Sequence, residues 1–478
     1  MTTVLAYDLG ASSGRLVAQT FNGQTLTTNE IHRFQNKPFY EDNHYYWDYD
    51  NLIKELNRGL DKVAAPAKSL GIDTWGVDFG LLNKNGQLVS KPFSYRDTHS
   101  VPYVQKAIKH ISAQRLFEQT GNEISAINTL FQLMAIQGQY PQYLTETTDL
   151  LMTPNLLMHA LSGVKLNEFT IASTSQLVNK NKQWDKDIQQ ALFDQTLPFA
   201  TIEMPHQLVG TLKNHKSIQM ALVPGHDTAC ALSALPIQRR NALFISIGTW
   251  GLIGKEIKKP ITTLEAFQQS FTNEGTSEGQ YRFQKNAMGF WILQKCREEW
   301  KQQGLHFTYE QEILAFHQAK SFDTFIDPDD ELFFNPVSML QAIKQYCIQT
   351  NQQVPITPGE HIRCFTESLA LKYAYTIEQI ETITQTKTTD IYIGGGGTQN
   401  TNLCQLIANA SNKIVHTGPT EASSIGNGLS QLRALGELHS IEEGRQLVAN
   451  SFEMKQYVPQ NNIKWQEAID RFQQLLHK

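Results

Sequence analysis

Short apolar runs that end in small residues or glycines predict a chain in which strands alternate with helices. Residues 4–7 predict a strand, and residues 8–15 predict a tight turn that leads into a second apolar run. Apolar residues three and four positions apart predict a helix over 51–64, and residues 71–79 predict another strand. Helical patterns dominate from 101 to about 161. Such alternation predicts an α/β fold.

The opening pattern of strand, turn and strand occurs again near the middle of the chain. Residues 241–254 comprise an apolar run, a turn of small residues and a second apolar run, and the turn glycines Gly10 and Gly248 are about half the chain apart. A repeat at this period predicts two similar halves, although two short glycine turns can also recur by chance. We expect one domain at 1–236, a second at 237–440 and a C-terminal helical segment at 441–478.

A third glycine turn follows a predicted strand in the second half. Residues 364–383 predict a long helix, residues 388–393 a strand, and residues 402–408 another helix. Four consecutive glycines, 394–397, lie between that strand and the following helix. Glycines in this position let the backbone approach a flat or charged ligand closely.

Composition and charge exclude several classes of function. The chain has 478 residues, 40% of them hydrophobic, which describes a folded protein with large cores. The formal net charge of −5 and the lack of any Lys/Arg block argue against nucleic-acid binding. No apolar run is long enough to span a membrane, and residues 1–4 lack the features of a signal peptide, so we expect a soluble, cytoplasmic protein.

The five cysteines form no CxxC pair. Their odd number and wide spacing favour buried, reduced thiols over a disulfide scaffold. Whether Cys347 and Cys364, which are 17 positions apart, form a pair stays open.

Familiar nucleotide and metal motifs are missing. The sequence contains no Walker A motif, no GxGxxG, no HExxH and no EF-hand loop. It offers instead three separate turns of Gly, Ser and Thr, each after a strand, and such turns donate hydrogen bonds to phosphate oxygens. Asp8 precedes the first turn, where a carboxylate could hold Mg²⁺ directly or through water. Each turn alone is more often a structural hairpin.

Three motifs together, DLGASSGR at 8–15, SIGTW at 246–250 and GGGGTQN at 394–400, resemble the phosphate and adenosine loops of the actin-like ATPases. More narrowly, the chain resembles the FGGY carbohydrate kinases, and within them the branch that phosphorylates L-rhamnulose. That closer match rests on EIHRF at 30–34, GIDTWGVDF at 71–79, YRD at 95–97, NTLFQL at 128–133, HDT at 226–228, TNEG at 272–275, YR at 281–282 with Gln294, EAS at 421–423 and GN at 426–427.

The resemblance implies two actin-like (ribonuclease H-like) ATPase domains with a central cleft, in which the carboxylate at 227 and the turns at 10, 248 and 396 converge. Domain closure would exclude water. The implied reaction transfers the γ-phosphoryl group of ATP to O1 of L-rhamnulose with Mg²⁺. The implied ATP-binding residues are Ala11, Ser12, Ser13, Gly14, Arg15, Thr249, Gln294 and Gly396, with Asp8 near the metal. The implied sugar-binding residues are Gly76, His226, Asp227, Thr228 and Asn286.

Asp227 matches the catalytic base of that family. From local sequence alone, an N-cap aspartate at the start of a helix over 228–234 is the simpler interpretation. A helix start would favour the ionised carboxylate and keep it available as a base. Phosphoryl transfer to an alcohol needs such a carboxylate to accept the hydroxyl proton, so the resemblance favours catalysis.

Other residues keep two interpretations. Asp73 and Asp78 would lie on opposite faces of an ideal strand, so one faces the sugar and the other is structural. Trp75 either stacks on a sugar or fills the core, and His226 either binds the ketose, which we favour, or only orients Asp227. Arg96 either reaches the substrate or pairs with a carboxylate. Two residues depart from the family pattern: His99 stands where the family commonly has Arg, and Gly394 stands where it often has a β-branched residue.

Two alternatives to a rhamnulose kinase stay open. One is a kinase for another ketose, such as fuculose or xylulose. The other is a chaperone-like or filament-like ATPase of the actin superfold that phosphorylates no small molecule; the residues Trp75, Gly76, His226 and Asp227 argue against it, because such a machine needs no sugar site. The expected partners are ATP and a small ketose, and the chain is a monomer or a homodimer.

Overall fold

We analysed a computed structural model that describes residues 1–239, 241–460 and 463–476. Contacts between residues divide the chain into two compact units. Unit 1 consists of Met1–Gln238, Glu256–Phe283 and Glu421–Glu453, and unit 2 of Arg239–Lys255, Gln284–Thr420 and Met454–Lys478.

The strands are β1 Thr2–Leu9, β2 Ser13–Phe21, β3 Leu26–Gln35, β4 Phe39–Glu41, β5 His44–Tyr46, β6 Ser69–Thr74, β7 Phe79–Leu82, β8 Asp149–Met152, β9 Asn167–Glu168, β10 Ile202–Glu203, β11 Gln207–Thr211, β12 Gln219–Leu222, β13 Leu243–Ile247, β14 Trp250–Ile257, β15 Thr272–Gly275, β16 Tyr281–Met288, β17 Asp390–Gly394, β18 Ile414–Thr417 and β19 Gln456–Tyr457.

The helices are α1 Tyr49–Asp61, α2 Val101–Ile108, α3 Ala113–Thr120, α4 Thr129–Gln139, α5 Pro141–Glu146, α6 Thr153–Ser162, α7 Phe169–Ala172, α8 Lys186–Leu192, α9 Asp227–Ser233, α10 Leu264–Gln268, α11 Trp291–Gln302, α12 Tyr309–Gln318, α13 Met339–Gln349, α14 Pro358–Thr384, α15 Thr401–Ser411, α16 Ala422–Ala434, α17 Ile441–Ser451 and α18 Ile463–Leu476. Short 3₁₀ turns cover Glu331–Phe333 and Gly396–Gln399.

Unit 1 is built on a mixed sheet with the strand order β11-β12-β6-β1-β2-β3. β1 pairs antiparallel with β2 and parallel with β6, which in turn pairs parallel with β12. All residues of β6 are buried, and so are seven of the eight residues of β1. Such continuous burial is expected of central strands that are covered on both faces.

Unit 2 contains most of a second sheet, in which β14, β13, β17, β18 and β19 are neighbours in that order. β13 pairs antiparallel with β14 and parallel with β17, and β17 pairs parallel with β18. The order and direction of the four central strands are therefore the same in both sheets. The repeat that the glycine turns predicted is thus a repeat of topology, and the α/β prediction is confirmed.

Helix α16 packs against the central strands of unit 1 and against α9. Gln431 donates from its side chain to the carbonyl of Leu5 (2.7 Å) and accepts from the hydroxyl of Ser69 (2.7 Å). A Cβ on Gly426 would overlap the backbone carbonyl of Cys230 in α9. The two helices therefore approach as closely as their backbones allow, and this contact fixes the position of the α9 start.

Most predicted elements are present, with one clear exception. The predicted strand over 71–79 is wrong as a single strand, because β6 ends at Thr74 and β7 begins at Phe79. Between them the backbone bends at Gly76 and Val77. The predicted helices over 51–64 and 364–383 appear as α1 and α14 with boundaries shifted by a few residues.

The predicted domain boundaries 236/237 and 440/441 stay a prediction. The C-terminal stretch 441–478 holds α17, β19 and α18, while residues 461, 462, 477 and 478 lie outside the described residues. All five cysteines are buried and carry no disulfide. Among the helices of the described residues, none combines the length and the apolar character needed to cross a membrane.

Candidate active site

The first predicted phosphate turn is the tip of the β1–β2 hairpin in unit 1. The amide of Gly10 donates to the carbonyl of Ser13 (2.9 Å), and the side chain of Asn36 donates to the carbonyl of Gly10 (2.8 Å). Ser12 and Ser13 are exposed at this tip. Their hydroxyl groups are thus free to face solvent or an anion, as a phosphate turn requires.

Arg15 anchors the turn by charge. Its guanidinium lies 2.7 Å from Oδ2 of Asp8, the residue opposite it in the hairpin, and it also contacts the carboxylate of Glu421. The carbonyl of Ala11 accepts from the exposed side chain of Arg96 (3.3 Å). Arg96 therefore contacts the predicted phosphate turn, and neither sequence interpretation of this residue includes that contact.

Asp8 lies beside a second buried carboxylate. It is in register with Asp73 on the parallel strand β6, and Asp73 is fully buried. Asn427 donates to Oδ2 of Asp73 (2.7 Å), whereas Oδ1 has no hydrogen-bond partner among the described residues. Burial raises the pKa of Asp73 well above its usual range, and the charges of Asp8 and Asp227 act in the same direction. Carboxylates with an unsatisfied oxygen suit a hard divalent cation.

The predicted residues 226–228 lie together at the start of α9. Asp227 is the first residue of this helix, and the hydroxyl of Thr228 donates to its Oδ1 (3.1 Å). Nε2 of His226 lies 3.4 Å from the same oxygen. The Asp227 side chain is 29% exposed, so part of it remains reachable from solvent.

Burial raises the pKa of the Asp227 carboxyl. The nearby His226 opposes this effect, and the negative charge of Asp8 reinforces it. The direction is opposite to the one that the helix start alone would give, because removing a carboxylate from water outweighs the partial charge at the first helical turn. A raised pKa makes the ionised carboxylate a stronger base.

Gly76 lies at a strained bend. Val77, the next residue, has φ of 68°, a left-handed conformation that is rare for a β-branched side chain. The amide of Val77 donates to the hydroxyl of Thr174 (3.0 Å), and its carbonyl accepts from the hydroxyl of Thr129 (2.6 Å). Strained backbone that is held by its surroundings is common at binding sites.

The two aspartates of this region have different roles. Asp78 accepts hydrogen bonds from the indoles of Trp47 (2.6 Å) and Trp75 (2.9 Å), and also from the side-chain amide of Gln132 (3.0 Å). Trp75 is buried, with its ring 4.1 Å from that of Trp47. Asp78 is therefore the structural member of the pair, Trp75 fills the core, and Asp73 lies next to Asp8.

His99 also has a structural place. It is buried and stacks on Phe93, and its Nδ1 lies 2.7 Å from Oδ1 of Asp97. Nδ1 of His44 lies 3.1 Å from the same oxygen. Asp97 thus joins two histidines, and this cluster occupies the position where an arginine was expected.

The second predicted turn lies in unit 2 and joins β13 to β14. The amide of Gly248 donates to the carbonyl of Trp250 (2.9 Å), which leaves Thr249 exposed at the tip. The hydroxyl of Thr249 donates to the side chain of Gln294 in α11 (3.3 Å). These two predicted ATP-binding residues, 45 positions apart in sequence, are therefore direct neighbours.

The third turn packs against the second. Gly394 is in register with Ser246, and Gly395 has φ of 77°, which favours glycine. A Cβ on Gly397 would lie 2.4 Å from Cβ of Ile247, whereas one on Gly396 would have nothing closer than 4.0 Å. Gly396 is exposed in the 3₁₀ turn, so a ligand could approach its backbone.

Asn286, the remaining predicted sugar-binding residue, is exposed on β16 in unit 2.

Two family models match this chain. The N-terminal domain of the "FGGY family of carbohydrate kinases" matches residues 3–231, and the C-terminal domain of the same family matches residues 243–435. The chain belongs to the FGGY family of carbohydrate kinases. Membership confirms the predicted class, an enzyme that phosphorylates a sugar at the expense of ATP.

Individual FGGY proteins extend the match over nearly the whole chain. A rhamnulokinase of Oceanobacillus iheyensis is 37% identical over 464 residues, which cover 95% of this chain and 97% of that protein. A rhamnulokinase of Halalkalibacterium halodurans is 38% identical over 468 residues, with 96% and 99% covered. The crystal structure of Plasmodium falciparum glycerol kinase with ADP is 13% identical and superimposes with a TM-score of 0.82, covering 100% of this chain and 98% of that chain. This similarity confirms the actin-like fold of the FGGY kinase.

Sequence reasoning missed Glu168, which positions the turn before the predicted sugar-binding residues 226–228. The buried carboxylate of Glu168 accepts from the amide of Gly225 (2.8 Å) and from the hydroxyl of Thr170 (2.6 Å), and it thereby holds the turn that precedes His226. It is also the N-cap of the short helix α7. Glu is not among the residues preferred at an N-cap, so the local sequence gives no signal, and only the fold shows that this carboxylate reaches residue 225.

Proposed function

We propose that this FGGY kinase transfers the γ-phosphoryl group of ATP to O1 of L-rhamnulose and releases ADP and L-rhamnulose 1-phosphate. The observation that carries the proposal is the near-complete alignment, at 37–38% identity, with proteins named rhamnulokinase. The histidine, aspartate and threonine at the start of α9 support it, because their side chains offer donors and acceptors for sugar hydroxyls.

Asp227 is the proposed general base. Its carboxylate accepts the proton of the 1-hydroxyl while the oxygen of that hydroxyl forms a bond to the γ-phosphorus. The bond between the γ-phosphorus and the oxygen that bridges it to the β-phosphate breaks, and ADP leaves with that electron pair. The partly exposed side chain and the raised pKa support this role, since a base works best when its pKa approaches the operating pH.

The sugar is proposed to contact Gly76, His226, Thr228 and Asn286. The bend at Gly76 and Val77 presents backbone where a regular strand would present side chains. His226 and Thr228 flank the proposed base, and both carry groups that hydrogen-bond to hydroxyls.

The predicted glycine turns are proposed to contact ATP. In unit 1, the backbone and hydroxyl groups of residues 11–14 would donate to phosphate oxygens, with Arg15 supplying positive charge. In unit 2, Thr249 and Gln294 would contact the nucleotide from their shared position, and Gly396 would let the backbone approach it.

Asp8 and Asp73 are the residues proposed to hold Mg²⁺. Both offer carboxylate oxygens, and the buried Oδ1 of Asp73 has no hydrogen-bond partner within the described part of the chain, which a cation or its bound water would supply. A bound Mg²⁺ would neutralise charge on the phosphates. Because the reaction consumes ATP, we also propose that the enzyme works in the cytoplasm.

Rates with a panel of ketoses test the substrate. The wild-type protein is assayed for ADP release with ATP and L-rhamnulose, fuculose or xylulose, and the product is identified by ³¹P and ¹³C NMR. We expect rhamnulose to give the highest kcat/KM and the product to carry phosphate on O1. A clear preference for fuculose or xylulose would assign the enzyme to another ketose.

A further inference from the structure

Glu274 and Arg282 belong to motifs that the proposed reaction does not use. They lie on the neighbouring strands β15 and β16, and both residues belong to the segment Glu256–Phe283 of unit 1. The Arg282 side chain is 0% exposed, and its Nη2 lies 2.7 Å from Oε2 of Glu274. Burying an ion pair is costly and does little for stability. This pair therefore calls for a different explanation.

The Arg282 guanidinium also contacts the histidine next to the proposed base. The same Nη2 lies 2.8 Å from Nδ1 of His226. A guanidinium only donates hydrogen bonds, so Nδ1 must be the acceptor in this contact. A neutral His226 then carries its hydrogen on Nε2, the atom that lies 3.4 Å from Oδ1 of Asp227.

The alternative tautomer is disfavoured by the same contacts. A hydrogen on Nδ1 could reach Oε2 of Glu274, which is 3.3 Å away. It would then face the N–H of Arg282 at a distance where two donors repel each other. Glu274 already accepts from Arg282 at the shorter distance of 2.7 Å, which orients the guanidinium toward His226.

The side-chain contacts of Asp227 distinguish its two oxygens. The hydroxyl of Thr228 donates to Oδ1, and Nε2 of His226 approaches the same atom. The hydrogen bond from Thr228 holds Oδ1, and a hydrogen on the facing Nε2 of His226 attracts the same oxygen, so both favour a rotamer that directs Oδ2 away from them. Oδ2 is then the atom that takes up a proton.

We infer that Arg282, held by Glu274, is a positioning residue that fixes the Nε2–H tautomer of His226 and thereby orients Asp227 so that its Oδ2 accepts the proton from the sugar. The inference rests on the proposed role of Asp227. It adds to that role a buried relay from Glu274 through Arg282 and His226 to the carboxylate.

A second cluster of the same composition provides a matched control. In unit 1, Nη1 of Arg433 contacts Glu278 and lies 2.9 Å from Nε2 of His206. Nδ1 of His206 lies 2.8 Å from the hydroxyl of Ser430 instead of an aspartate. The substitution Arg433→Met therefore breaks an Arg–Glu–His cluster that has no proposed base beside it.

The experiment combines kinetics with ¹⁵N NMR of the histidine rings. Wild type, Arg282→Met, Arg282→Lys and Arg433→Met are compared, and the His226 signals are assigned by their loss in His226→Gln. For Arg282→Met we expect kcat with rhamnulose to fall about 10- to 100-fold with little change in KM for ATP. Arg282→Lys, which keeps the charge, should retain more activity, and Arg433→Met should keep wild-type kcat.

The ring signals test the inference independently of the substrate. In the wild type, Nε2 of His226 should carry the hydrogen and Nδ1 should not, and this pattern should be lost in Arg282→Met. A hydrogen on Nδ1 in the wild type, or wild-type kcat in folded Arg282→Met, would overturn the inference. If Arg282→Met does not fold, the wild-type spectrum decides. A wild type without activity on rhamnulose would instead contradict the proposed function, and the ring signals would still report the tautomer.

Discussion

Neighbouring carboxylates in unit 1 owe their different properties to the donors around them. Asp78 receives hydrogen bonds from two indoles, one side-chain amide and the backbone amide of Tyr95, so it is a structural hub. Among the described residues, Asp73 receives one donor and keeps one oxygen without a partner. Both are fully buried, and only the second has coordination capacity to spare.

The pH dependence of stability should reveal Asp78. Burial raises its pKa to about 6, although the hydrogen bonds from Trp47, Gln132 and Trp75 lower it. In the unfolded chain the carboxyl has a pKa of about 3.9, so between these values only the folded protein holds the proton. The contribution of Asp78 to the free energy of unfolding therefore decreases as pH rises from about 4 to 6, by on the order of 3 kcal/mol.

The measurement compares Tm of wild type and Asp78→Asn at pH 4.5 and pH 7.5, which lie below and above the pKa of about 6. Because Asn does not titrate, the advantage of the wild type in Tm should be larger at pH 4.5 than at pH 7.5. A difference in Tm that is the same at both pH values would show that the Asp78 carboxyl does not change its proton affinity on folding.

At the scale of elements, substitutions at two neighbouring glycines of one turn should distinguish an effect on nucleotide binding from an effect on folding. Gly396→Ala places a methyl group in open space, whereas Gly397→Ala drives it into Ile247. The clash in Gly397→Ala should lower the free energy of unfolding by about 1–3 kcal/mol and Tm by several degrees. Gly396→Ala should keep Tm and raise KM for ATP about tenfold, equivalent to ~1.4 kcal/mol.

Thermal unfolding without ligand and steady-state kinetics check this pair of variants. Gly397→Ala is the folding control for Gly396→Ala, since both add one methyl group to the same turn. If Gly396→Ala left KM for ATP unchanged, the backbone at 396 would not approach the nucleotide.

Elements that depend on residues close in sequence were predictable, and elements that depend on contacts between distant residues were not. The β1–β2 hairpin and α14 follow from apolar periodicity and glycine turns, which act over a few residues. The bend at Val77 depends on hydroxyls of Thr129 and Thr174, which are about 50 and 100 positions away. No sequence pattern around residue 77 indicates these partners, so the sequence alone predicts one continuous strand through the bend.

The same distinction applies to the candidate site. The motif at 226–228 was found because its residues are consecutive. Glu168 and the contact of Arg282 with His226 were not found. Their partners lie more than 50 positions away in sequence and become neighbours only through strand pairing and helix packing.

At the scale of the whole molecule, nucleotide turnover should depend on the sugar. A sugar kinase passes the phosphoryl group to a bound hydroxyl, while a filament-like or chaperone-like ATPase of the same fold hydrolyses ATP by itself. We expect ADP release by the purified protein to be slow with ATP alone and to increase strongly when rhamnulose is added. ADP release at the same rate with and without sugar would contradict a kinase role.

The most direct test of the account is the turnover of Asp227→Asn with ATP and L-rhamnulose. The amide keeps the size of the side chain and an oxygen for the hydroxyl of Thr228, but it cannot accept the proton of the 1-hydroxyl. We predict that kcat falls by about 10²- to 10⁴-fold, while the Kd for ATP stays close to that of the wild type. Turnover near the wild-type rate would contradict the account, because the proton of the sugar would then leave by a route that does not involve Asp227.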